Sequence, residues 1–155
     1  MQRLELMLPP PVVAIVVAGL MWLAQWLLPQ LSFLLGTAVV FSIIVVLAIA
    51  AVVFGLGALQ RFKRLGTTMD PRAPQATQHL VVEGVYRLSR NPMYLGVYFL
   101  LLCWAFYLTN WLALVLSLLF VAYITRFQII PEERILQEKF GTQYLQYCEK
   151  VRRWI

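Results

Sequence analysis

Two short stretches hold the side chains able to do chemistry. "GVYRLSRNPMYLG", Gly84 to Gly96, sets Tyr86, Arg90, Asn91, Pro92, Met93 and Tyr94 close together. "PEERILQEKFGTQYLQY", Pro131 to Tyr147, opens on Glu132 and Glu133. Asn is a favoured helix N-cap and Pro a favoured first helical residue, so a helix starts at Pro92. The first N–H groups of a helix lack intrahelical partners and carry the positive end of its dipole. Facing a pocket, such an end binds anions. Paired acids, an arginine, tyrosines and a helix N-terminus at one level make a polar pocket of the size of a zwitterion. On Asn91 and Pro92 alone, a plain helix start is the simpler account. His79 is a lone loop histidine, and Cys103 and Cys148 lack metal or redox spacing, so no metal site is expected.

The elements that must position these residues are apolar. The chain has 155 residues, 61% of them hydrophobic, and a mean hydropathy of +0.76. No charged residue occurs from Leu6 to Gln60, nor from Asn91 to Thr125. A bilayer crossing takes about 20 apolar residues. The pattern predicts an all-α integral membrane protein with about four spanning helices in two hairpins. These run from Pro11 to Leu28, Ser32 to Gln60, Pro92 to Leu108 and Trp111 to Phe127, with tight turns at "PQLS" and "LTN". Ala51 and Gly55 form a small-xxx-small pair suited to close helix packing. The first apolar run is too long for a signal peptide.

Every Lys, Arg, Asp and Glu then falls on one side of the membrane. The positive-inside rule makes that side cytoplasmic, with both termini there. The net charge of +6 follows from this topology and from anionic headgroups, and needs no nucleic acid. The expected location is the inner membrane of a bacterium. The chain reads as one domain, residues 1–60 a helix hairpin and 61–155 the half bearing the pocket. "RFKR" at 61–64 is a basic membrane-edge anchor, and the Pro-rich stretch after it should be extended or turning. The last segment predicts an amphipathic helical tail, starting at Pro131 and lying on the membrane or over the bundle. Leu136, Phe140, Tyr144, Tyr147, Val151 and Trp154 share its apolar face. Gly141-Thr142 is a potential break, with Thr142 as a new cap.

Together, "GVYRLSRNPMYLG" and "EERILQEKFGTQYLQY" resemble the isoprenylcysteine carboxyl methyltransferase family, whose wider group includes phospholipid N-methyltransferases. The matching pattern is Gly-x-Tyr, Arg-His-Pro-x-Tyr, a Glu pair, and Phe-Gly-x-x-Tyr-x-x-Tyr. The resemblance runs from Gln78 to Trp154, and the first two helices match only in kind. It implies S-adenosylmethionine as methyl donor, S-adenosylhomocysteine as product and a lipophilic or prenylated acceptor. Carried over by position, Gln78, His79, Leu80 and Val81 would line the adenosine. Tyr86, Asn91, Pro92, Met93, Tyr94 and Glu132 would complete the cofactor site, with Arg90 and Glu133 in support. Asn91 stands where the family has His, and Asn can donate a hydrogen bond but not transfer a proton near pH 7. Gln128 stands where prenylcysteine enzymes carry a substrate arginine, so Arg126 and Gln128 are the substrate-side candidates. No catalytic base is assigned.

Two other function classes fit the composition. A small exporter would need an ionisable residue near the membrane midplane, and neither uncharged stretch has one. A catalytically inactive membrane scaffold would keep the fold and lose cofactor binding. The acceptor's identity and the oligomeric state are not encoded in any motif.

Overall fold

A computed structural model describes residues 5–65 and 80–155, with the side chains of 62–65 left aside. Among the described residues the protein is helical, with no strand. The helices are α1 (Pro10–Leu27), α2 (Thr37–Leu65), α3 (Pro92–Leu108), α4 (Trp111–Ile124), α5 (Ile130–Phe140) and α6 (Thr142–Lys150). Three apolar segments are long enough to cross a bilayer: Pro10–Leu27, Thr37–Arg61 and Trp111–Phe140. Pro92–Leu108 is also apolar but has 17 residues.

The first two helices are consecutive, yet they do not pack as a hairpin. α1 packs on α4 and α3, whereas α2 packs on α3. The cause lies in the connection between them. It is longer than "PQLS", so α2 starts at Thr37 rather than Ser32. It is also tied across the bundle: Ser32 bridges to Asn110, and the Phe33 N–H donates to the Thr109 carbonyl at 2.8 Å. Asn110 is fully buried. Its Oδ1 caps α4 through Leu112 and Ala113, while its Nδ2 donates to Gln25 Oε1 at 2.8 Å and to the Leu28 carbonyl at 3.1 Å. One side chain therefore ties together α1, the connection and α4.

The α2–α3 contact is close because small residues meet there. A Cβ placed on Gly96 would sit 3.1 Å from the Ala51 carbonyl and 3.1 Å from the Gly55 nitrogen. The small-xxx-small pair thus has a partner on α3. α1, α3, α4 and the segment after α4 bury Val13, Val17, Met21, Leu101, Ala105, Ala113, Phe120, Ile124 and Ile129 in one core.

The sequence expectation of a helix end near Phe127 and a fresh start at Pro131 is corrected by the structure. α4 runs into α5 without a break, through a π-turn at Thr125–Ile129. Pro131 has no N–H, so the α-helical bond to the Phe127 carbonyl cannot form. The turn widens instead, with the Ile130 N–H reaching the Thr125 carbonyl. The freed Phe127 carbonyl accepts the Leu6 N–H at 3.0 Å. Further on, Gly141 at φ +50 separates α5 from α6. Gly141 itself holds the cap position of α6, in place of the expected Thr142, and no side chain caps there. Tyr144, Tyr147 and Val151 are buried with Leu136, Phe140 and Cys148 against Leu80 and Val82.

Candidate functional site

The site lies where the start of α3 meets the junction of α4 and α5. The π-turn decides which way the acids point. Counted from the buried Ile124, an uninterrupted α-helix at about 100° per residue puts position 132 about 80° round from the buried face. One residue absorbed by the wider turn reduces this to about 20°. Glu132 therefore faces inward, and Glu133 falls on the adjoining flank.

Glu132 meets α3. The Tyr94 hydroxyl donates to Glu132 Oε1 at 2.5 Å, and Gln128 Nε2 donates to the same oxygen at 3.0 Å. Tyr94 and Gln128 are both buried. Among the described residues no cation pairs with Glu132. Its described partners are neutral donors, and a tyrosine ring lies beside it, so a cation would find favourable interactions at this point.

Glu133 does structural work. Arg90 Nη2 donates to its Oε1 at 2.8 Å, and Arg153 Nη2 to its Oε2 at 2.7 Å. The Arg90 side chain is 13% exposed and the Glu133 side chain 17%. This triad fastens the last residues of the chain across the site. Asn91 shares in that fastening. It holds the cap position of α3, but its side chain makes no capping bond. Its Nδ2 donates instead to the Arg153 carbonyl at 3.0 Å. The Asn91 N–H is taken by Ser89 Oγ at 3.1 Å, and the Arg90 N–H donates to the Arg152 carbonyl at 3.0 Å. Trp154 Nε1 donates to Thr125 Oγ1 at 3.1 Å, which fixes the strap to the π-turn.

The wall below is aromatic and apolar. Tyr86 lies in a short 3-10 turn, Gly84–Arg87, and is buried with Ala58 and Val81 against Met93. The Tyr147 hydroxyl donates to the Tyr86 carbonyl at 2.7 Å. Burial pushes the Tyr86 and Tyr147 phenols well above their ordinary 10.0, so both stay protonated at neutral pH. Pro92 is fully buried at the start of α3.

The structure thus brings Tyr94, Gln128 and Glu132 together, with Arg90 and Glu133 beside them. Leu80 joins the C-terminal cluster and Val81 the Tyr86 cluster. Gln78 and His79 lie outside the described residues. Arg126 and Gln128 part company. Gln128 is buried, whereas Arg126 Nη1 donates to Glu5 Oε1 at 3.0 Å on another face. Sequence reading missed Arg153, Ser89 and Glu5, and placed Trp154 only on the apolar face of the tail. Their signal was weak, because a basic pair near the chain end and an acid before the first helix look like ordinary membrane-edge charge.

A phospholipid methyltransferase family model matches residues 24–143, well over half of the chain. The chain belongs to the phospholipid methyltransferase family. That family lies in the wider group of membrane methyltransferases that the motifs at Gly84–Gly96 and Glu132–Tyr147 resemble. An uncharacterized protein of Haemophilus influenzae is also similar, 44% identical over 63 residues, which are 41% of this chain and 100% of that relative. The matched range ends before the strap, so Arg153 and Trp154 lie beyond it, and Glu5 lies ahead of it.

Proposed function

We propose that the protein is an S-adenosylmethionine-dependent methyltransferase acting on a lipid-like or lipid-anchored substrate. Its site would open at the cytoplasmic edge of a bacterial inner membrane, with four crossing helices and both chain ends on that side. The observation that carries this reading is Glu132, a carboxylate turned inward with Tyr94 and Gln128 as its partners among the described residues. Family membership supplies the reaction class.

The residues fit the cofactor. Glu132 is free to pair with an α-ammonium group. The Tyr86 and Tyr94 rings would face a sulfonium with their negative π surfaces. The N-terminal turn of α3 offers backbone N–H groups to a carboxylate. When bound, S-adenosylmethionine supplies an electrophilic methyl group on sulfur. The chain's own contribution is to align, to exclude water through the apolar wall around Val81 and Met93, and to provide a fixed field. A carboxylate acceptor needs no base, whereas an amine acceptor must first lose a proton. Glu133 is poorly placed for that step, since both its oxygens are already engaged by Arg90 and Arg153. Asn91 is engaged by the strap, and its amide cannot serve as an acid or a base near neutral pH.

The test is isothermal titration of the purified protein in detergent with S-adenosylmethionine and S-adenosylhomocysteine. Both should bind, and Glu132→Ala should weaken them by about tenfold or more, the worth of a charge-assisted hydrogen bond. Absence of binding to folded protein sinks the enzyme reading in favour of a scaffold. A radiolabelled-methyl assay on total lipid extract then identifies the acceptor class.

A further inference from the structure

The π-turn that aims Glu132 is an uncommon conformation. Three contacts brace it from outside α4 and α5. Trp154 holds Thr125 from the C-terminal strap. The other two come from the N-terminal segment. The Leu6 N–H donates to the Phe127 carbonyl, the acceptor left open by Pro131. Glu5 reaches over the turn to both its flanks. Arg126 Nη1 donates to Glu5 Oε1 at 3.0 Å, and Arg134 Nη2 donates to both Glu5 oxygens at 3.0 Å. The Glu5 side chain is 12% exposed between arginine side chains that are 42% and 50% exposed.

The geometry has two marks of a constrained element. Leu6 sits at φ 60, a left-handed conformation that a branched side chain adopts only when its surroundings hold it there. The arginines that Glu5 links lie on either side of Gln128 and Glu132. A turn that relaxed to regular α-helix would rotate Glu132 by about 100°, from about 20° on one side of the buried direction to about 80° on the other, by the angular count above. Loosening the N-terminal segment therefore acts on Glu132 without touching it.

We propose that Glu5 is a positioning residue for the methyltransferase site. Together with the Leu6 N–H it staples the π-turn, and so holds Glu132 against Tyr94. Arg126, on this account, is part of the staple and not a substrate contact. The inference rests on the cofactor role given to Glu132 above, but part of its test does not.

The experiment compares wild type, Glu5→Ala, Arg134→Ala and the double variant in detergent. Amide hydrogen exchange is read for residues 125–134 and for α1. S-adenosylhomocysteine affinity is read by titration, with thermal unfolding as the fold control. Glu5→Ala should speed exchange across 125–134 while leaving α1 unchanged. It should weaken S-adenosylhomocysteine by about three- to tenfold, as expected for a contact acting at one remove. The double variant should match Glu5→Ala, because Arg134 acts on the turn through Glu5. If Glu5→Ala does not fold, Glu5→Gln takes its place, since it keeps the size and one acceptor oxygen. Wild-type exchange at 125–134 in the folded variant overturns the staple, as does simple additivity in the double variant. Failure of the wild type to bind S-adenosylhomocysteine overturns the cofactor reading instead, and the exchange arm still decides the staple.

Discussion

The Tyr94 hydroxyl and the Glu132 carboxylate meet at 2.5 Å across 38 residues of sequence. The contact joins the first turn of α3 to the first turn of α5, and everything else at the site is arranged around it. Tyr94→Phe keeps the ring and removes only the donor. It should leave thermal stability within about 1 kcal/mol, since Gln128 still serves Glu132. Turnover should fall more than cofactor affinity does, because the ring remains to face a cation while the carboxylate loses its orientation. Kinetics under saturating methyl donor, set beside titration, separate the two effects.

Glu133→Ala should be among the most destabilising single changes. It leaves the buried Arg90 and the partly exposed Arg153 side by side without the carboxylate that pairs them. Breaking such a group from its central member costs about 3–5 kcal/mol when fully buried, and about 2–4 kcal/mol is expected for this partly exposed case. Arg153→Ala should cost less, because Arg90 still pairs with Glu133. Thermal unfolding in detergent ranks the two, and equal losses would contradict the shared-carboxylate geometry.

Gly96→Val should separate α2 from α3. The added atoms would press on the backbone of Ala51 and Gly55, which has no room to yield. A cost of about 1–3 kcal/mol follows from overpacking. Gly19→Ala is the natural control, for a Cβ there meets nothing within 4 Å. It should be neutral, or stabilising by up to about 1 kcal/mol from better helix propensity.

Asn110→Ala removes the cap of α4 and the ties to Gln25 and Leu28 in one step. The expected loss is about 2–4 kcal/mol, a lost cap plus buried groups left unpaired. Cofactor binding by the protein that remains folded should be unchanged, since Asn110 sits at the opposite end of α3 from Tyr94. Parallel unfolding and titration measurements test both halves of this statement.

The amino-acid pattern alone determined the apolar helices, because burial in lipid demands long uncharged runs and these are visible as such. It placed the start of α3 at Pro92 and the start of α4 at Trp111, where Asn-Pro and Asn-Trp steps mark helix entry. It also picked out Tyr94, Glu132, Arg90 and Glu133 through local motif. Tertiary structure decided how these residues divide. Glu132 and Glu133 are neighbours in sequence, yet one faces Tyr94 and the other two arginines. That division depends on a π-turn, and the carbonyl that Pro131 leaves open in the turn finds a distant donor. The donor is Leu6, and no local pattern announces a bond between residues so far apart. The same holds for Asn91: its type suggested a helix cap, but a carbonyl from the last residues of the chain lay within reach of its amide and took it. Helix periodicity is a short-range property and can be read along the chain. The partners of a buried polar group are set by whichever distant segment packs beside it.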